Sequence, residues 1–157
     1  MRPSLKINYF LLARFLIAGI FLVSGMEKLL SPIENFIYAI QGFEALHSPG
    51  LERLTAEVMP WIEFFVGLFL LLGLWTRIAL IGVMAMGFTF ALIVGQGIWR
   101  GLPLINCGCF GDLIHFPIFA TFTIDCFLFS LGGIALLHLP RVTVFSLDVW
   151  LRESRAA

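Results

Sequence analysis

Charged residues are scarce in this chain, and their scarcity narrows its class before any motif is considered. Asp, Glu, Lys and Arg make up 13% of the 157 residues, whereas hydrophobic residues make up 60%. Soluble domains usually have about 25% charged and about 45–50% apolar residues. Ten basic residues balance ten acidic ones, without a basic run, so nothing in the sequence indicates a nucleic-acid partner. We therefore expect an integral membrane protein.

Cysteine is equally scarce, and two of the three cysteines lie in one motif, Cys107-Gly108-Cys109. Glycine between two cysteines permits the sharp bend that an intramolecular bridge requires. So small a ring is strained and easily reduced, which favours a redox pair over a structural disulfide. The rival interpretations are a structural role and metal binding by Cys107, Cys109 and His115, although no second cysteine pair completes a four-ligand site. We expect Cys126 to be a small apolar residue of a membrane span.

Four apolar stretches are long enough to cross a bilayer, which takes about 20 residues each. We predict spans at about 9–29, 59–74, 78–98 and 117–139, in one domain covering 1–157. The predicted fold is an all-α membrane protein, a bundle of four transmembrane helices. A cleaved signal peptide is the rival interpretation of the first span, but Arg14 interrupts its apolar run and no good cleavage site follows.

The connection after the first span carries apolar residues near helical spacing over 33–46. This pattern predicts an interfacial helix, either a lid over the cysteine loop or a plain amphipathic surface helix.

The distribution of basic residues predicts the orientation. Four spans put both termini on one side, and seven of the ten basic residues flank that side: Arg2, Lys6, Arg14, Arg77, Arg141, Arg152 and Arg155. The other side has Lys28, Arg53 and Arg100. Positive charge favours the cytoplasm, so we expect cytoplasmic N and C termini in a bacterial inner membrane. The cysteine loop then faces the periplasm, where disulfides persist.

Ionisable residues within the spans point to a second polar region. Glu63 and Asp125 are expected in the outer half of the second and fourth spans, near Lys28 and Arg100 at the ends of the first and third. A charge in hydrocarbon costs about 2.5–3.5 kcal/mol on insertion scales and normally finds a partner inside the protein. We predict a cluster of these four residues, serving as a proton relay, a headgroup site or a structural pairing. Arg14 is expected to extend to the cytoplasmic surface.

These residues resemble the DoxX/MauE family of small four-span membrane proteins. The resemblance rests on three motifs, which are Arg14–Gly19–Ser24-Gly25–Lys28, then Pro60-Trp-Ile-Glu63 with Gly67 and Gly73-Leu-Trp-Thr76-Arg77, and finally Cys107-Gly-Cys109-Phe-Gly111. The last is similar to the signature of the MauE branch, which is linked to methylamine utilisation. The resemblance implies a helical bundle with a periplasmic thiol-redox role, and MauE itself is associated with the disulfides of the methylamine dehydrogenase small subunit.

The sequence therefore predicts a thiol–disulfide redox protein, an oxidoreductase acting on an extracytoplasmic protein partner through Cys107 and Cys109. Arg100, His115, Glu63, Asp125 and Lys28 are the predicted supporting residues. A non-enzymatic membrane anchor or scaffold subunit of a redox or respiratory complex is the alternative, and a carrier of a lipid-like or metal ligand is a third. Quinone is a candidate cofactor because some DoxX relatives are quinone-linked, and the chain is expected to be a homo-oligomer or a complex subunit.

Overall fold

The computed structural model describes residues 9–46, 48–102 and 117–142, and all regular structure in these ranges is helical. The helices are α1 (Tyr9–Leu30), α2 (Ile33–Gly42), α3 (Pro49–Leu72), α4 (Thr76–Trp99), α5 (Ile118–Leu137) and α6 (Leu139–Val142). Within the described ranges, four of them (α1, α3, α4 and α5) are long and apolar enough to cross a membrane. The prediction of an all-α bundle of four transmembrane helices is confirmed.

Helix α3 begins well before the predicted second span. Hydropathy placed the start of that span near residue 59, but the helix starts at Pro49, where a proline fits the first helical turn. Charged residues within its first turns lower the mean hydropathy of this part of the helix, so hydropathy alone does not identify it as part of the span. The helix ends at Leu72, and Gly73 follows with a positive φ of 66°, which glycine readily adopts and which turns the chain toward α4.

Helix α2 lies at one end of the bundle, where the Phe36 ring is 5.2 Å from Nζ of Lys28 near the end of α1. It covers the first part of the predicted 33–46 segment and ends at Gly42, after which the chain turns. Phe43 follows it and is buried with Val94 of α4, against Ile118 at the start of α5. The end of the bundle where α2 lies, called the α2 end below, is therefore also where α4 ends and α5 begins.

At the opposite end of the bundle, the first turns of α1 contact the last described residues of the chain. The Arg14 Nη1 atom donates a hydrogen bond to the Val142 backbone oxygen at 2.9 Å, and the Phe10 ring stacks on His138 with 4.7 Å between centroids. Arg14 is 1% exposed. The expectation that Arg14 extends to the membrane surface is wrong, because its guanidinium is held inside by a carbonyl of α6.

The bundle consists of two closely packed helix pairs, α1 with α3 and α4 with α5. Glycine permits the first contact: a Cβ at Gly25 would lie 2.7 Å from the Phe64 backbone nitrogen, and one at Gly67 would lie 2.8 Å from the Leu22 nitrogen. Small residues at such positions let membrane helices approach closely. Helices α1 and α3 thus meet backbone to backbone, and this contact brings their polar side chains together.

Candidate functional site

The central polar feature of the bundle is a buried ion pair between α1 and α3. The Lys28 Nζ atom donates to both carboxylate oxygens of Glu63, at 2.7 and 2.8 Å, and to the Ser24 Oγ atom at 2.8 Å. The Ser24 hydroxyl in turn donates to Glu63 Oε2 at 2.9 Å. Both charged side chains are 2% exposed. Burial of a charge requires a partner and hydrogen bonds, and this network supplies both.

The sequence places these three residues for simple geometric reasons. Ser24 and Lys28 are one helical turn apart and so share a face of α1. A Cβ added at Gly25, between them, would lie 2.7 Å from the Phe64 backbone nitrogen and 3.0 Å from the Pro60 backbone oxygen, within one helical turn of Glu63. The close helix approach at this glycine therefore sets the distance across which the ammonium meets the carboxylate.

Asp125 of α5 faces the same region. It lines a cavity of about 30 Å³ together with Ser24, Lys28, Glu63 and Phe90, and it is 5% exposed. Among the described residues, none gives its Oδ2 atom a hydrogen bond. A polar cavity of this size has room for a water molecule. Two carboxylates and one ammonium thus share one small space, an arrangement that could hold and pass a proton.

Arg100 does not join this cluster. Its guanidinium pairs with Glu44, just beyond α2, at 2.6 Å between Nη2 and Oε2, and both side chains are well exposed. Of the four residues predicted to cluster, Lys28, Glu63 and Asp125 come together, while Arg100 lies apart. Arg100 directly follows the last residue of α4. Its ion pair with Glu44 therefore links the beginning of the cysteine-containing connection to the segment after α2.

The remaining cysteines and His115 belong to two regions of the chain. Cys107, Cys109 and His115 lie outside the described residues. The chain on either side, up to Leu102 and from Pro117, is described, and both of these boundaries adjoin the α2 end. Cys126, next to Asp125 on α5, is a free thiol and half-buried.

Three residues of the site were not predicted from the sequence. Ser24 was identified only as part of a motif, although serine one turn before a buried lysine is a plausible hydrogen-bond partner. The Phe36 ring of α2 lies 5.2 Å from Lys28 Nζ, within the range of a cation–π contact. Phe90 of α4 closes the polar cavity. Neither phenylalanine stands out in a chain that has 17 of them.

Comparison with known proteins gives one clear result. The family model described as "Methylamine utilisation protein MauE" matches residues 6–139, which include all four membrane-spanning helices. No curated protein and no solved structure matches the chain. Since the match covers most of the sequence, and since the fold is a bundle of four apolar helices, the chain belongs to the MauE family.

Proposed function

We propose that this protein is a thiol–disulfide redox protein of the bacterial inner membrane, which acts on an extracytoplasmic protein partner through Cys107 and Cys109. The observation that carries the proposal is the Cys107-Gly108-Cys109 motif in the connection between α4 and α5. Both described boundaries of this connection adjoin the same end of the bundle. The cysteines therefore belong to a short segment attached at two points, which suits presentation to a partner at the membrane surface.

The proposed reaction is an exchange in which electrons balance between the two proteins. A thiolate of one protein attacks a disulfide sulfur of the other, forming a mixed disulfide and releasing one thiolate. The second thiol of the attacking protein, as its thiolate, then attacks the mixed disulfide and releases the second thiolate of the other protein. One pair is left as a disulfide and the other as a dithiol, so that two electrons and, through water, two protons pass from the first protein to the second. Either protein can start as the dithiol.

The predicted membrane orientation supports this chemistry. Seven of the ten basic residues flank the side opposite the cysteine motif, and basic residues favour the cytoplasmic side. Cys107 and Cys109 would then face the periplasm, an oxidising compartment. The family description, methylamine utilisation, suggests a partner from that process whose disulfides depend on exchange.

Arg100 and His115 are the proposed electrostatic support. A cation beside a thiol favours the thiolate, the form that reacts. Arg100 is close in sequence to the cysteines, but Glu44 already neutralises it at 2.6 Å. We propose that its charge acts on the cysteines only when this exposed ion pair opens.

The experiment is the trapping of a mixed disulfide. Single Cys107→Ser and Cys109→Ser variants are expressed in the native host and acid-quenched, and membranes are resolved without reductant. We expect one variant to accumulate a covalent adduct with its partner, because the resolving thiol is gone. Cys126→Ser is the matched control and should behave as wild type.

The scaffold alternative predicts a different result. If Cys107→Ser/Cys109→Ser protein still purifies with its partner and the partner's disulfides form normally, the protein is an anchor and the exchange proposal is wrong. If the complex persists while the partner's disulfides are lost, the scaffold alternative is excluded as a sufficient account.

A further inference from the structure

Two side chains on the buried face of α5 carry polar atoms that the described part of the chain leaves unsatisfied. Asp125 is 5% exposed and Thr121 is 1% exposed, and no described residue forms a hydrogen bond with Asp125 Oδ2 or Thr121 Oγ1. The two residues are one helical turn apart and so share a face of the helix. Buried polar atoms in proteins are normally satisfied by protein groups, ordered water or an ion. Their common position therefore indicates a ligand beside α5.

The Thr121 hydroxyl differs from three other hydroxyls in α4 and α5. Those of Thr89, Thr123 and Ser130 each donate to the backbone oxygen four residues earlier, at 2.8 Å, which is a common way to satisfy a hydroxyl within a helix. Thr121 lacks this bond among the described residues, although it lies in the same helix as Thr123 and Ser130. Its oxygen is therefore available as a ligand.

The hydrogen-bond donors of the polar cavity are all directed away from Asp125. An ammonium has three N–H donors, and those of Lys28 reach the two carboxylate oxygens of Glu63 and the Ser24 Oγ atom. The single Ser24 O–H donates to Glu63 as well. Lys28 and Glu63 thus balance each other, and the Asp125 carboxylate adds one negative charge to the cavity that it lines with them. A buried charge requires a partner or a coordinated cation.

The size and charge of this space fit a small monovalent cation. A volume of about 30 Å³ has room for one or two water-sized groups, each of which needs at least about 10–15 Å³. One positive charge balances the excess of Asp125, whereas a divalent ion would leave a positive excess within the membrane. Hard cations prefer oxygen ligands, which the carboxylate and the Thr121 hydroxyl provide. A proton alone would balance the charge without using that hydroxyl.

We propose that Asp125 and Thr121 form a binding site for a sodium ion. The Asp125 carboxylate supplies the negative charge and Thr121 Oγ1 a neutral oxygen ligand, with a Glu63 oxygen and water completing the shell. Since the polar cavity is lined from both helix pairs, the ion would join α5 to α1 and α3. Ionisable residues within membrane spans often mark ion sites. Sodium and a proton then compete for the same carboxylate. This inference is independent of the cysteines.

The test is equilibrium binding of radioactive ²²Na⁺ to the full-length protein in nanodiscs, with choline as the inert cation. We expect saturable binding of a single ion per chain. Asp125→Asn keeps the shape of the side chain but removes its charge, and Thr121→Val replaces the hydroxyl with a methyl group. Each should raise the Kd for Na⁺ by about tenfold or more, equivalent to about 1.4 kcal/mol. Thr123→Val is the matched control, because the Thr123 hydroxyl is exposed and bonded within its own helix, and it should bind Na⁺ as wild type.

Three results would overturn the proposal. Absence of saturable Na⁺ binding, with an infrared band of a protonated Asp125 carboxyl that Na⁺ does not diminish, would identify a proton-only site. Unchanged Na⁺ binding in both Asp125→Asn and Thr121→Val would place the ion elsewhere. An equal loss of binding in Thr123→Val would show a general effect on α5 instead of the loss of a ligand. Circular dichroism and gel filtration check that each variant is folded before its Kd is compared.

Discussion

Lys28 and Glu63, 35 residues apart in sequence, form a bidentate ion pair with Nζ–oxygen distances of 2.7 and 2.8 Å in a 2% exposed environment. The pair joins the end of α1 to the middle of α3 at the level of the polar cavity. Its energetic role is asymmetric. Removing one partner leaves an unpaired buried charge, whereas replacing both with apolar residues removes the desolvation cost as well.

The first prediction concerns this pair. Glu63→Leu should lower the free energy of unfolding by about 3–5 kcal/mol, because the Lys28 ammonium is left without its carboxylate. Lys28→Met/Glu63→Leu should recover most of this loss. Reversible unfolding in mixed micelles measures both values. Arg53→Met, which breaks the exposed Arg53–Glu57 pair, is the control and should cost less than about 1 kcal/mol. A double variant as unstable as Glu63→Leu would show that the asymmetry is absent.

The second prediction concerns Asp125 in the same cavity. Since no described residue hydrogen-bonds its Oδ2 atom, Asp125→Asn should change the free energy of unfolding by less than about 1 kcal/mol. Proton transfer by a positioned side chain contributes about 10²–10⁴-fold to a rate. If quinone is the electron acceptor, as the family resemblance implies, a proton-carrying Asp125 predicts slower reoxidation of the cysteine pair by added quinone in Asp125→Asn. Stopped-flow measurement of quinone reduction checks this. An unchanged rate would assign Asp125 no part in proton transfer.

The third prediction concerns the contact between α1 and α3. Gly25→Ala places a Cβ 2.7 Å from the Phe64 nitrogen, so the helices must separate, and we expect a loss of about 1–3 kcal/mol in stability. Gly19→Ala is the matched control on the same helix, because nothing lies within 4 Å of its added Cβ. That substitution should stabilise the helix by about 0.5–1 kcal/mol. Equal effects of both variants on thermal unfolding would contradict the close approach seen at Gly25.

The fourth prediction concerns Arg100 and Glu44. Glu44→Gln removes the carboxylate that lies 2.6 Å from the guanidinium. Because this ion pair is exposed, its loss should lower the free energy of unfolding by less than about 1 kcal/mol. A freed Arg100 favours thiolate formation, so Cys107 and Cys109 should react faster with a maleimide near neutral pH, and added salt should reduce the difference. Glu57→Gln, which frees Arg53 instead, is the control. Identical maleimide rates in the two variants would remove Arg100 from the proposed site.

Much of the fold was predictable because its signals are local. Apolar runs of membrane length identify α1, α4 and α5, and only the charged first turns of α3 concealed the start of that helix. The meeting of Lys28, Glu63 and Asp125 was also predictable, since each lies at a similar depth in its span and buried charges require partners.

The residues with which Arg100 and Arg14 pair, which are distant in sequence, were not predictable. Arg100 has the same approximate depth as Lys28, but Glu44, brought near by the chain turn after α2, pairs with it instead. Arg14 finds the Val142 carbonyl 128 residues away rather than solvent. A larger apolar cavity is lined by residues of α2, α3 and α4 together, and hydrophobic spacing alone does not encode how these helices pack.

The measurement that tests the central claim most directly is the redox state of Cys107 and Cys109 in native membranes. Cells are acid-quenched, free thiols are alkylated with a bulky maleimide, and the shift in gel mobility is compared among wild type, Cys107→Ser, Cys109→Ser and Cys126→Ser. The account predicts that both cysteines are wholly or partly oxidised in wild type, and that reductant converts them to a dithiol. Full reduction of both cysteines in every sample, with no mixed disulfide in either single variant, would contradict it.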